Sequence, residues 1–336
     1  PFLAKEAVSH GLVQSLLYED QLFEELNRQA GVRLRRIGAR DYLRAAAAAE
    51  TAANKVALVI CEGTISRDLS LYAEAGSGIS PEGFGKLLRQ VGDDAGIRAV
   101  VVRIDSPGGD SFASDEIWRE MNLLSRKKPM VISLSDEAAS GGYYIAQTGD
   151  PVIAYPGTLT GSIGVVFGKV NLRGLYSKLG VRKELLTRGR FADIDSDAQP
   201  LSREARELLR RGLDRNYRSF VTRVAEARKR KFEEVESLAQ GRVWLGSQAR
   251  EKGLIDELGG LDRALELARA KAGIPASEKI SVVVYPRRRA LLEQLLIRRP
   301  AASSPAWLTA FLERWPAELL SGGRLLRLMP CAVRIR

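Results

Sequence analysis

The chain has 336 residues, of which 45% are hydrophobic, and its formal net charge is +11. A chain of this length and composition can bury a large core, which excludes an intrinsically disordered module. It contains no run of about eighteen apolar residues, so we predict no transmembrane helix or signal peptide in this portion. Its two cysteines, Cys61 and Cys331, are too few for a disulfide framework or a cysteine metal site.

The amino-terminal residues repeat a pattern that is found late in the chain. Residues 2–32 align without a gap on residues 244–274, so that Gly11 matches Gly253 and Gly31 matches Gly273. A shared register of this length predicts a duplicated unit, although two generic helical segments remain an alternative. We predict the end of a truncated first repeat at 1–35, an alanine- and arginine-rich connector at 36–54, a main domain at 55–275 and a basic carboxy-terminal extension at 276–336.

Apolar runs predict that strands and helices alternate through the main domain. The predicted strands cover residues 56–61, 99–104, 129–134, 152–155 and 163–167. Helical spacing predicts helices at 111–127 and, with Ser202 as its N-cap, from there to about residue 230. This order of elements predicts an α/β fold with mostly parallel strand pairing.

Two glycine-rich turns follow predicted strands. Ser140 lies in AASGGYY at 138–144, at the point where a strand would turn into a helix. The sequence DSPGG at 105–109 places Gly108 and Gly109 in a turn where backbone amides can approach a substrate carbonyl closely. Each motif by itself is typical of an ordinary structural turn. Together they predict a serine nucleophile with an oxyanion hole.

A serine nucleophile needs a base, and histidine is a poor candidate in this chain. The only histidine, His10, lies in a charged amphipathic stretch near the start of the sequence. A Ser-His-Asp triad is therefore not expected. The known alternative is a lysine whose pKa is lowered by burial or by a neighbouring cation.

These motifs resemble those of signal peptide peptidase A, a family of Ser-Lys proteases of the bacterial envelope. The resemblance rests on residues 105–109 and 138–144, on TLTGSIG at 158–164, on QGRVWLG at 240–246 and on GLID at 253–256. It implies a Clp protease/crotonase-like α/β fold of repeated ββα units with helical extensions. It also implies that Ser140 is the nucleophile, that Gly108 and Gly109 form the oxyanion hole and that Ser162 orients the lysine.

The resemblance further implies an endopeptidase that cleaves hydrophobic peptides such as signal-peptide remnants, without a metal or organic cofactor. It implies a homo-oligomeric ring associated with the bacterial inner membrane and facing the periplasm. The tail from Pro300 onward interleaves Trp307 and Trp315 with charges, so it could rest on a membrane surface or pack against a neighbouring subunit. Solvated helix faces account for most of the positive charge, and without a recognisable module we expect no nucleic-acid partner.

The chain departs from the family at the base. In RGRFADI at 188–194, Ala192 stands where short members carry the catalytic lysine. Long members carry the serine and the lysine in different repeats, so the resemblance implies that the lysine comes from the missing first repeat. The nearest substitutes within the chain are Lys169, Lys178 and Lys183. Two alternatives stay open: a scaffold that binds peptides without cleaving them, and a crotonase-like acyl-CoA enzyme, which would need a carboxylate base.

Overall fold

The computed structural model describes residues 3–39, 41–42, 53–67 and 78–286, together with the backbone of residues 326–328. The chain divides into two compact units, Pro1–Thr51 and Ala52–Arg336. Across the described ranges, no helix has both the length and the apolar character needed to cross a bilayer. Cys331 and the two tryptophans predicted to contact a membrane or a subunit lie outside the described residues, as does most of the predicted carboxy-terminal extension.

The second unit is built around an eight-stranded sheet. Helices α1 (Ala4–Ser9) and α2 (Glu19–Ala30) belong to the first unit. The elements of the second unit are, in chain order, β1 (Asn54–Glu62), α3 (Pro81–Asp93), β2 (Ile97–Ser106), β3 (Gly108–Asp110), α4 (Ser111–Lys127), β4 (Met130–Ala139), α5 (Gly141–Ile145), β5 (Val152–Ala154), β6 (Leu159–Gly161), α6 (Arg173–Lys178), α7 (Arg203–Arg228), α8 (Phe232–Glu236), β7 (Val243–Leu245), α9 (Gly246–Glu251), β8 (Glu257–Leu258), α10 (Leu261–Lys271), β9 (Ile280–Tyr285) and β10 (Leu326–Leu328).

Strand pairing in the large sheet is parallel with one exception. The strand order is β7-β6-β4-β2-β1-β9, and β5 pairs with both β4 and β8. Only β6 and β7 are antiparallel within it, and β3 pairs antiparallel with β10 in a separate small sheet. The predicted α/β fold is therefore confirmed. Because β2, β4 and β6 are parallel, their carboxyl ends meet at one edge of the sheet.

The central strands are covered on both faces, which explains why they consist of nearly continuous apolar runs. One face packs against Ile117 and Met121 of α4 and against Phe220 of α7. The other face packs against α10 through Ala264 and Ala268. The edge that carries the ends of β2, β4 and β6 is thus held between two packed layers.

Local sequence signals predicted several elements correctly. Helix α4 begins and ends at the predicted residues, and the Ser202 hydroxyl caps α7 by accepting a hydrogen bond from the Ala205 N–H at 3.0 Å. The strand predicted at 163–167 is wrong, because the extended segment here is β6 at 159–161. The chain leaves the strand at Ser162, whose φ is +49° and whose N–H donates to the Arg242 carbonyl at 2.8 Å.

The two segments that align in sequence also share their local structure. Helix α1 covers the positions that match α9, and α2 covers nearly the same positions as α10. The N–H of Leu3 donates to the Glu6 side chain in the first unit, as the N–H of Leu245 donates to the Gln248 side chain in the second. Gly11 and its counterpart Gly253 have φ values of +69° and +70°. No residue of α1 or α2 is buried.

Candidate active site

Ser140 lies in a strained turn at the carboxyl end of β4. Its φ is +51° and its ψ is −116°, a conformation that non-glycine residues rarely adopt and that costs about 1–3 kcal/mol. Two backbone hydrogen bonds hold it: the Ser140 N–H donates to the Gly161 carbonyl at 2.9 Å, and the Ser140 carbonyl accepts from the Tyr144 N–H at 2.8 Å. A sharp strand-to-helix turn of this kind places a serine side chain at the head of a helix.

The hydroxyl groups of Ser140 and Ser162 are both buried and unpaired. Neither Oγ has a hydrogen-bond partner among the described residues, although both side chains are essentially inaccessible to solvent. The two residues are neighbours, because Ala139 of β4 pairs with Gly161 of β6. An unsatisfied buried hydroxyl costs about 1–3 kcal/mol, so this pair is a place where a further polar group would bind favourably.

The Gly108-Gly109 turn lies directly beside the start of α5. The Gly108 carbonyl accepts from the Ile65 N–H and the Asp110 N–H donates to the Ile65 carbonyl, both at 2.8 Å. A Cβ on Gly109 would lie 1.9 Å from the Ile65 carbonyl oxygen, so this position requires glycine. The Gly108 N–H donates to Ser106 Oγ at 3.2 Å, whereas Gly109 lies opposite Arg327 in the antiparallel pair of β3 and β10, so its backbone faces the position that a second extended strand takes.

Gly141, which follows Ser140, lies against the Gly108-Gly109 backbone, a contact that is not predicted from the sequence. A Cβ on Gly141 would lie 3.2 Å from the Gly109 nitrogen and 2.6 Å from Ser114 Oγ. Gly141 therefore brings the amide of Gly109 close to the first residue of α5, whose own N–H has no partner within the helix. The sequence signal was present in the glycine pair after Ser140, but only the packing shows which backbone it approaches.

No described lysine reaches the Ser140 hydroxyl, since that oxygen has no partner. Ala192, at the position of the family's lysine, is exposed in a turn. Lys183 forms an ion pair with Asp197, whose carboxylate also accepts a hydrogen bond from the Tyr176 hydroxyl at 2.6 Å. The hydrogen bond to Asp197 raises the pKa of the Lys183 amine, which is the opposite of what a general base requires.

Lys169 is partly buried and Lys178 is exposed, so neither occupies the buried site beside Ser140. His10 is exposed and belongs to the first unit. None of the described lysines hydrogen-bonds the hydroxyl group of Ser140 or of Ser162.

Two carboxylates also lie near the sheet edge. Asp105 of β2 accepts a hydrogen bond from the Glu137 N–H at 3.2 Å. Burial raises the pKa of both the Asp105 and the Glu137 carboxyl groups, and the Asp105 charge raises the pKa of Glu137 further. Because side chains alternate along a strand, Asp105 points to the face opposite Ser106, and Glu137 to the face opposite Ala138. They therefore lie away from the layer that contains α5.

Comparison with known proteins shows which proteins this chain resembles. Residues 122–275 match the model of peptidase family S49. The chain is 36% identical over 294 residues to the chloroplastic serine protease SPPA of Arabidopsis thaliana, covering 85% of this chain and 43% of that protein. It is 34% identical to Protease 4 of Salmonella typhi, covering 80% of this chain and 44% of that protein. A Synechocystis protein named as a protease is 38% identical over 190 residues, covering 56% of this chain and 69% of that protein.

The chain spans less than half the length of the Arabidopsis and Salmonella relatives. Among solved structures, a membrane-bound stomatin-specific protease matches 69% of this chain and 99% of its own, with a TM-score of 0.45 and 14% identity. A ClpP1 mutant from Listeria monocytogenes matches 62% of this chain and 94% of its own, with a TM-score of 0.41 and 16% identity.

Proposed function

The chain belongs to peptidase family S49, the serine peptidases of the signal peptide peptidase A type, and we propose that Ser140 is its catalytic nucleophile. The observation that carries this proposal is the buried, unpaired Oγ of Ser140, held at positive φ beside Gly109 and Ser162. A nucleophile that is kept in a strained turn, with no hydrogen bond to give up, is ready to accept a base when one is brought beside it.

The reaction follows from this geometry. A neutral lysine amine takes the proton of the Ser140 hydroxyl, and Oγ attacks the carbonyl carbon of the peptide. The carbonyl oxygen becomes an oxyanion, which the N–H groups of Gly109 and Gly141 stabilise by hydrogen bonding. Gly108 supports this arrangement indirectly, because its own N–H donates to Ser106 Oγ. The lysine ammonium then protonates the leaving amine, and water hydrolyses the acyl-serine ester by the reverse sequence. Ser162 Oγ hydrogen-bonds the lysine amine and fixes its direction.

The base comes from outside the described residues, from a first repeat of the same protein. Three observations support this: Ala192 replaces the family's lysine, Lys183 is paired with Asp197, and Ser140 Oγ is unpaired. Peptide binding without cleavage is the alternative outcome if no lysine is supplied. Membership in a serine peptidase family argues against an acyl-CoA enzyme.

Substrates, assembly and location are proposed from the family. We expect extended hydrophobic peptides such as signal-peptide remnants, a homo-oligomeric ring and association with the bacterial inner membrane on its periplasmic side. Five large apolar side chains are exposed in the segment that follows Ser162, and packing against a neighbouring subunit would remove them from water. They are Val166, Leu175, Leu179, Val181 and Leu186.

The test is hydrolysis of an internally quenched apolar peptide by the intact protease, which means this chain together with the proposed first repeat. Ser140→Ala should abolish cleavage and labelling by a fluorophosphonate while leaving the melting temperature near that of the wild type. The matched control is Ser133→Ala, which removes another buried hydroxyl of β4, one that is bonded to Arg103 and lies outside the site. Undiminished cleavage by Ser140→Ala would end the proposal.

A second measurement addresses the base. The purified chain, without any further segment, should hydrolyse the peptide only weakly because an unassisted serine hydroxyl is a poor nucleophile. Substantial hydrolysis by this chain alone would show that it supplies its own base, and the proposal of a lysine from another repeat would fall.

A further inference from the structure

The motif at 240–246 contains β7, which pairs antiparallel with β6, the strand that leads to Ser162. Strand β7 pairs with β6 so that Val243 faces Gly161 and Trp244 faces Thr160. Two further hydrogen bonds extend this contact: the Ser162 N–H donates to the Arg242 carbonyl at 2.8 Å, and the Gly241 N–H donates to the Ile163 carbonyl at 2.9 Å.

The indole of Trp244 lies against Gly161. A Cβ on Gly161 would be 2.9 Å from Trp244 Cδ1, so the ring fills the space where a side chain would otherwise be. Gly161 is the residue that joins the two serines, because its carbonyl accepts the Ser140 N–H at 2.9 Å and its peptide bond leads to Ser162. The ring therefore contacts the backbone on which both side chains depend.

Trp244 is itself held in place from two sides. Its Nε1–H donates to the Leu238 carbonyl at 3.0 Å. The Lys252 ammonium lies 4.5 Å from the ring centroid, within the range of a cation–π interaction. The indole also packs against the main core. These contacts hold the Trp244 ring in one orientation against Gly161.

We propose that Trp244 is a positioning residue that keeps Ser140 and Ser162 in their catalytic geometry, an inference that rests on the proposed function. Ser140 and Ser162 have φ values of +51° and +49°, and each conformation costs about 1–3 kcal/mol unless its surroundings enforce it. With the indole against Gly161, the backbone at Gly161 has less space in which to relax towards ordinary angles. Without it, the peptide can turn, and both hydroxyl groups move with it.

The experiment compares Trp244→Leu and Trp244→Phe in the intact protease with the same peptide assay. Leucine keeps an apolar side chain but removes the planar ring that contacts Gly161, so we expect kcat to fall by about 10- to 100-fold while KM changes little. Phenylalanine keeps a ring and should rescue most of kcat. The control is Trp118→Leu, which removes an indole bonded to the Gln147 carbonyl and stacked on Arg223, away from Gly161.

A double-mutant cycle with Ser162→Ala separates positioning from general destabilisation. Because part of the effect of Trp244 passes through Ser162, the combined loss in the double variant should be smaller than the product of the two single losses. Losses that multiply, or a kcat of Trp244→Leu equal to that of the wild type, would overturn the inference. Cleavage by Ser140→Ala would instead overturn the proposed function, so the two failures are distinguishable.

Discussion

Replacing Gly141 with alanine adds one methyl group at the point where α5 meets the Gly108-Gly109 turn. The new Cβ would lie 2.6 Å from Ser114 Oγ and 3.2 Å from the Gly109 nitrogen. Both distances are shorter than comfortable contact, so either the Ser114 side chain or the Gly109 backbone must move.

The magnitude has two opposing parts. Alanine in place of a helical glycine gains about 1 kcal/mol of helix propensity. Overpacking of a tight site costs about 1–3 kcal/mol, so we expect a net loss of stability of up to about 2 kcal/mol. Turnover should fall further, by about 10²- to 10³-fold, because displacement of the Gly109 amide removes an oxyanion donor.

The assay measures thermal unfolding and peptide hydrolysis of the intact protease side by side. A second variant adds Ser114→Ala to Gly141→Ala, which removes the 2.6 Å contact but keeps the approach to Gly109. It should recover part of the lost stability without recovering turnover, because Ser114→Ala relieves the close contact but also removes the hydrogen bond from Ser114 Oγ to the Asp110 carbonyl. The control is Gly212→Ala, since this glycine of α7 has no neighbour within 4 Å of its Cβ position. That control should gain up to about 1 kcal/mol and keep its activity. Full turnover in Gly141→Ala would refute the assignment of the oxyanion hole.

Two further predictions concern stability. Burial raises the pKa of the Asp105 carboxyl in the folded protein, so the neutral carboxyl is compatible with folding at low pH and the charged carboxylate destabilises the fold once pH rises through that pKa. Asp105→Asn removes this charge, so it should raise the melting temperature at pH 7 and give no gain at pH 3. An equal gain at both pH values would contradict this. Asp256, whose side chain is half exposed, pairs with the nearly buried Arg228 guanidinium at 2.8 Å and accepts the Val152 N–H at 2.7 Å, so Asp256→Ala should cost about 1–2 kcal/mol in denaturant unfolding. Glu257→Ala, beside it and paired with the much more exposed Arg263 guanidinium, should change little, and similar losses for the two would contradict this prediction.

Sequence patterns alone determined the strands, the helix bounds and the glycine-rich turns that surround the site. The apolar runs of β1, β2 and β4 predicted buried parallel strands, because a strand covered on both faces has no polar alternation. The bounds of α4 and the cap at Ser202 followed from local hydrogen-bonding and helical spacing, which depend only on nearby residues. The glycine-rich turns after β2 and β4 likewise pointed to Ser140 and Gly109, since residues without a Cβ mark close backbone approach.

Tertiary structure decided how these parts meet. The run after Ser162 reads as a strand, yet the chain turns there because the Arg242 carbonyl, about eighty residues later in the sequence, accepts the Ser162 N–H. The approach of Gly141 to Gly109, the indole of Trp244 against Gly161 and the two unpaired hydroxyl groups also depend on contacts between distant segments. Residue type and spacing carry no record of such contacts, because a side chain's environment is set by whichever elements the fold packs around it.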